Sequence, residues 1–222
     1  MTRRLNNQRI GGFTLVEVAV VIVVVVVLAG VLLPALSRPK MIECRVNCVS
    51  NLKQVGLAFR MFSNDHGDKF PWAVPTSEGG TLEMADTPAV FRHFLAISNE
   101  LTSPRPLACV EDQRRARASA WHEITNNAAG LSYFVGLNAD ESRPQTILSG
   151  DRNLTTNGRP ATGVISVTSN TVFGFTRELH LTHGNVALAD GSAQQVTAVG
   201  LQKQNELQFQ TTTNQSVRLA IP

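Results

Sequence analysis

One stretch constrains this chain more than any other. From Phe13 to Leu36 the sequence is apolar almost throughout, and Glu17 is the only charged side chain in it. About 20 consecutive apolar residues carry a helix across a bilayer. Val is a mediocre helix former in water, but in lipid the backbone must satisfy itself internally, which enforces the helix. Arg3, Arg4 and Arg9 precede the run without any acid, and Arg38 and Lys40 follow it. That asymmetry holds the leader in the cytoplasm and exports the remainder, although the following pair weakens it. A cleaved secretory signal has a shorter apolar core and closes on small residues such as Ala-x-Ala. A plain anchor leaves Glu17 unexplained. An acid within a membrane helix costs about 2.5–3.5 kcal/mol at the centre and less near an end, so it calls for a partner.

The chain has 222 residues, room for one membrane element and one globular domain. Its formal charge of +3 equals the three arginines of the leader, and the remainder is balanced. The basic balance therefore belongs to the leader. No basic stripe marks a nucleic-acid surface.

Gly12-Phe13-Thr14-Leu15-Val16-Glu17, followed by this apolar run, resembles the processing signal of type IV pilins and type II secretion pseudopilins. The resemblance implies cleavage after Gly12 by a prepilin peptidase and N-methylation of Phe13. It further implies that Glu17 pairs with the terminal amine of a neighbouring subunit during filament assembly. In an apolar helical bundle each of those charges relieves the other. Pro34 falls where pilin helices carry a bending proline. The expected organisation is a leader at 1–12, a transmembrane and filament-core helix at 13–36, an amphipathic continuation at 37–66, and a periplasmic domain at 67–222. The expected setting is the inner membrane, crossed once, with the domain in the periplasm.

Beyond Pro34 the pattern turns amphipathic. Leu52, Val55, Phe59 and Phe62 keep helical spacing, joined by Val46, Val49 and Leu57. Asn64-Asp65-His66-Gly67 stops the helix. A short helix is expected over 89–98 and a strand over 107–110. Further strands are expected over 130–137, 146–150, 163–167, 172–176, 185–189, 192–196 and 217–221, with a helix over 199–210. Asp190-Gly191 between two apolar-alternating runs is a hairpin signal. Helix first and strands after predict an α+β fold, pilin-like, with the long N-terminal helix packed on an antiparallel sheet. The segment from Cys48 to Ala58, the segments 133–141 and 150–153, and the hairpin from His183 to Ser192 resemble a pseudopilin-like group of environmental diderm bacteria. Family members often read Cys-Pro-x-Asp where this chain has Cys109-Val110-Glu111-Asp112, a departure at the proline.

Three cysteines do not make a disulfide scaffold. Cys44 and Cys48, four apart on one helix, are poorly placed to bond to each other. Export permits an oxidised pair, and Cys48 with Cys109 is the favoured one, against three buried thiols as the alternative. No convincing fourth ligand completes a zinc set. Asp140, Glu141 and Asp151 are candidate calcium ligands, against a reading in which Asp140, Glu141, Arg143 and Arg152 serve turn hydrogen bonds and ion pairs. His180, His183, Asp151 and Asp190 form a conceivable metal or hydrolytic set, but no nucleophile, zinc-protease or phosphate-loop motif is present. The reading is a non-enzymatic structural subunit without a cofactor. Its expected partners are prepilin peptidase, further pseudopilin subunits and an inner-membrane secretion platform. The alternatives are a minor pilin or adhesin recognising a surface ligand, and a membrane-anchored periplasmic protein of other function.

Overall fold

A computed structural model describes residues 14–36, 40–124, 130–210 and 214–222. The chain divides into two compact units, Met1–Lys40 and Met41–Pro222. In the first unit, α1 (Leu15–Leu36) is a helix of 22 residues. Its described side chains from Leu15 to Leu28 include a run of Val and Leu that are about half exposed or more.

α2 (Lys40–Asp65), which belongs to the second unit from Met41 onward, carries an apolar stripe. Cys48, Leu52, Val55, Phe59 and Phe62 recur at intervals of three and four, and all five are buried. Val46 and Leu57 were expected on that stripe and lie exposed, because their positions face away from it. Gly67 ends the helix with φ +65°, the left-handed geometry glycine adopts without penalty.

The sheet has six strands in the order β5-β9-β1-β2-β7-β8, every neighbour antiparallel. The strands are β1 (Tyr133–Gly136), β2 (Ile147–Asp151), β5 (Gly163–Val167), β7 (His183–Leu188), β8 (Ala193–Thr197) and β9 (Val217–Ile221). A smaller antiparallel sheet, β4-β3-β6, comprises β3 (Leu154–Thr156), β4 (Arg159–Pro160) and β6 (Phe173–Phe175).

Alternation along the strands gives the main sheet two apolar faces. Tyr133, Val135, Leu148, Ala187 and Ala220 join the stripe of α2 in one core. Phe134, Ile147, Val186 and Leu219 meet Leu154, Phe173 and Leu201 in a second core. Leu201 belongs to α4 (Ala198–Gln210), which lies on that second face. Each fully buried Phe or Leu contributes about 1.5–3 kcal/mol through removal from water. The architecture is therefore α+β, with a helix packed on an antiparallel sheet, consistent with a pilin-like fold.

Two local expectations are corrected. Residues 107–110 form no strand: Arg105–Leu107 is a single 3-10 turn with Pro104 at its cap and Pro106 within it, and neither proline can donate to a ladder. The helix expected over 89–98 shrinks to α3 (Phe91–Leu95), with turns on either side. Its aromatic residues serve the core: Phe59 meets Phe94 at 5.6 Å and Trp72 edge-on at 5.4 Å.

Candidate functional sites: the start of α1 and a buried thiol–imidazole cluster

At the first turn of α1 the sequence supplies its own cap. The backbone N–H and the hydroxyl of Thr14 both donate to Glu17 Oε2 at 2.8 Å, and the Glu17 backbone N–H donates to Thr14 Oγ1 at 3.3 Å. This reciprocal pair is a capping box. It satisfies donors that a helix start leaves orphaned, and it fixes the carboxylate at the helix entrance. Glu17 is therefore engaged within its own chain. Gly12 and Phe13, the expected cleavage and methylation residues, lie outside the described residues. The helix runs through Pro34 and ends at Leu36. Among the described residues no helix is long and apolar enough to cross a membrane. The side chains described in α1 stop at Gly30, although its backbone helix continues to Leu36.

The second site lies where α2, the loop after residue 107 and the entrance to β7 meet. Cys48 and Cys109 form a disulfide there, with their Cα atoms 5.5 Å apart. The bond closes 61 residues of sequence. The side chain of Cys44 lies outside the described set. Leu179 completes a small apolar cluster with the two sulfurs. Against them sits His180, fully buried, with Nε2 3.3 Å from Cys109 Sγ and 3.6 Å from Asp151 Oδ2. The opposite ring nitrogen, Nδ1, lies 2.9 Å from Glu111 Oε2, which also accepts the His180 backbone N–H at 3.1 Å. This placement has a backbone cost: His180 and Leu181 hold φ of +47° and +60°, a region that side-chain-bearing residues enter rarely.

Asp151 ends β2 and is fully buried. Its Oδ2 accepts two hydrogen bonds from Asn185, one from the backbone N–H at 2.8 Å and one from Nδ2 at 2.9 Å. Burial pushes its carboxyl up to about 7 against the Asn185 bonds, and the nearby Asp112 and Glu111 charges add to the rise. Next along the strand, Arg152 makes a bidentate pair with Asp112, both contacts at 2.7 Å. Burial opposes ionisation of Asp112, but the Arg152 and Ser132 hydrogen bonds outweigh it and hold the group below its ordinary value. That pair locks the loop after Cys109 to the end of β2.

The candidate calcium set does not assemble. Asp140 accepts from Ser142 and Arg143, and Glu141 pairs with Arg60 Nε at 3.0 Å. Asp151 stands instead with Asn185 and His180. Both loop acids have donors, and the three candidates do not converge on one position among the described residues. Among the described residues, the group of three potential metal ligands that does converge is Cys48, Cys109 and His180, with ligand atoms within 4.8 Å of one another. Sequence reasoning paired Cys48 with Cys109 and set His180 beside Asp151, but did not join the two pairs. The signal was a histidine ten residues ahead of the Asp190-Gly191 turn, too far from the cysteines along the chain to suggest contact. His183 begins β7 and is half-buried.

Residues 7–33 match the model of the prokaryotic N-terminal methylation motif. The chain carries the type IV pilin and pseudopilin signal. The match spans the start of the chain and leaves the globular unit without a match of its own. The chain matches no curated protein and no solved structure. A signal of this type supports processing by prepilin peptidase, membrane anchoring and pilin-like assembly.

Proposed function

We propose that this chain is a structural pseudopilin subunit of a type II secretion machine or a related pilus-like machine. In this reading it is cleaved after Gly12, methylated at Phe13, held in the inner membrane by α1, and assembled with further subunits on an inner-membrane platform into a periplasmic filament. It acts by assembly, not by catalysis. The observation that carries the reading is the methylation motif running directly into α1 with Glu17 in its first turn. The sequence from Phe13 to Leu36 is apolar almost throughout, which supports anchoring through the segment that contains α1. The exposed Val and Leu side chains of α1 support a helix whose apolar partners, lipid first and neighbouring subunits later, lie outside this chain.

N-terminal sequencing and mass spectrometry of the mature protein test the processing step. A chain starting at methylated Phe13 supports the reading, and an intact Met1 or a cut near Ala35 overturns it. Glu17→Ala tests the assembly step. Filament formation should be abolished while membrane insertion persists. Normal filaments from that variant would remove the role given to the carboxylate.

A further inference from the structure

We propose that, when its thiols are reduced, the chain binds one zinc-class d¹⁰ metal ion at the junction of α2, the Cys109 loop and the turn before β7, through Cys48 Sγ, Cys109 Sγ and His180 Nε2. The fourth position falls to a water.

Geometry is the first argument. Zinc binds thiolate sulfur at about 2.3 Å and imidazole nitrogen at about 2.0–2.1 Å, so a tetrahedral site separates S from N by about 3.5 Å and N from O by about 3.3 Å. The Cys109 Sγ to His180 Nε2 distance is 3.3 Å, so this edge already has the length that a shared metal imposes, and all three ligand atoms lie within 4.8 Å of one another. The two sulfurs are the exception, since their bond must open until they stand about 3.8 Å apart. A rotation about each Cα–Cβ bond achieves that without moving the backbone, because the Cα atoms are 5.5 Å apart.

The surroundings are the second argument. Metal-bound histidines donate their other N–H to a carboxylate, which fixes the tautomer and the ring orientation. Glu111 Oε2 lies 2.9 Å from Nδ1 and accepts the His180 backbone N–H, which puts a carboxylate on that side of the ring while Nε2 faces the sulfur. Asp151 Oδ1 is buried and has no hydrogen-bond partner among the described residues. An unpartnered buried carboxylate oxygen is costly, and a metal-bound water next to His180 would supply it with a donor. The donor set of two thiolates and one imidazole selects zinc over calcium or magnesium. A pocket of about 330 Å³ lined by Glu111, Arg177, Glu178 and His180 lies next to the cluster.

The two states exclude one another and interconvert with balanced chemistry. A dithiol reductant exchanges with the Cys48–Cys109 bond, takes up the disulfide itself, and leaves two thiols. The ion then binds as M²⁺ with loss of one proton from each thiol. Either the disulfide or the metal therefore ties the start of α2 to the Cys109 loop, according to the redox state around the chain.

The test uses the full chain in detergent micelles. After reduction with a dithiol and removal of the reductant under nitrogen, Co²⁺ is titrated as the probe. One equivalent should give the thiolate charge-transfer band and intense visible bands of a tetrahedral site, and added Zn²⁺ should displace it. The oxidised chain should give neither band. Cys48→Ser should abolish the charge-transfer signature of the pair, His180→Ala should weaken Co²⁺ binding at least tenfold, and Glu111→Gln should weaken it about tenfold as a positioning residue. Cys44→Ser should leave the spectrum unchanged. Zn²⁺ should also raise the melting temperature of the reduced chain by several degrees. Absence of the band on a folded, reduced chain overturns the proposal. So does a spectrum that depends on Cys44, or a reduced chain that unfolds and is not restored by Zn²⁺.

Discussion

Two successive helices of similar length solve opposite problems. α1 has 22 residues, nearly all apolar, and α2 has 26 residues, about half polar. Total hydrophobicity points to α1 as the core element, yet its described side chains are exposed while α2 buries Leu52 and Val55 completely. The difference lies in arrangement. α2 concentrates its apolar residues on one stripe that matches one face of the sheet, so the chain itself supplies the partner. α1 is apolar on every side, which a single sheet cannot cover. Burial within a chain follows from pattern, and apolarity without pattern points outward to lipid or to other chains.

Truncation of the stripe should break the contrast most severely. Phe59→Ala removes a fully buried ring that meets Phe94 and Trp72. It should lower the unfolding free energy of the globular unit by about 3–5 kcal/mol in denaturant titration. A loss under about 1 kcal/mol would show that the loops, not α2, organise the core. Opening the staple comes next. Replacing both Cys48 and Cys109 with Ala frees a loop of 61 residues, and it should cost about 2–4 kcal/mol under oxidising conditions.

A smaller effect is set by pH. His93 is buried against Trp72, its Nδ1 2.7 Å from the Thr81 hydroxyl, and burial lowers its ordinary value of 6.5 to about 4. The folded state thus keeps the ring neutral where the unfolded chain binds a proton. Stability is intact above pH 6.5 and declines as pH falls towards 4, by about 2–3 kcal/mol. Asp151, raised to about 7, acts in the opposite sense over the same range, since its folded form holds the proton longer. The His93 contribution is therefore the difference between the wild type and His93→Phe. That variant also loses a pH-independent amount through the Thr81 hydroxyl. Parallel pH profiles for the two chains would refute it.

The smallest effects sharpen the contrast from its other side. Leu57→Ser on the exposed face of α2 and Val23→Ala on α1 should each leave the melting of the globular unit within about 0.5 kcal/mol of wild type. A larger change at Val23 would mean that α1 contributes to the stability of the second unit.

Periodicity made much of the fold legible. The stripe of α2, the strands β5 and β9, and the hairpin around Asp190-Gly191 all lie where alternation and turn chemistry put them. The β3–β4 hairpin carried a readable signal, Asn157-Gly158 with φ of +51° and +78°. Asn-Gly between two short runs is a type I′ turn signature, but Pro160 in the return strand argues against pairing, and the strand survives as a two-residue edge. The segment between α2 and β1 was harder to read because its order comes from turns and buried aromatics without a period. The thiol–imidazole cluster was the least legible part. It depends on left-handed backbone at His180 and on three segments distant in sequence, and neither leaves a local pattern.

The staple also determines how the second unit meets a pull. A tension drawn along the N-terminal end of α2 would unzip the helix from its sheet one buried residue at a time, starting at Cys48 and moving to Leu52 and then Val55. Noncovalent contacts arranged in such a series yield singly, each at a small force. Here the first fastening in the series is covalent, because Cys48 is joined to Cys109. The zipper therefore cannot start from that end, and a tug on the helix passes first into the Cys109 loop, which the Asp112–Arg152 pair holds to the end of β2.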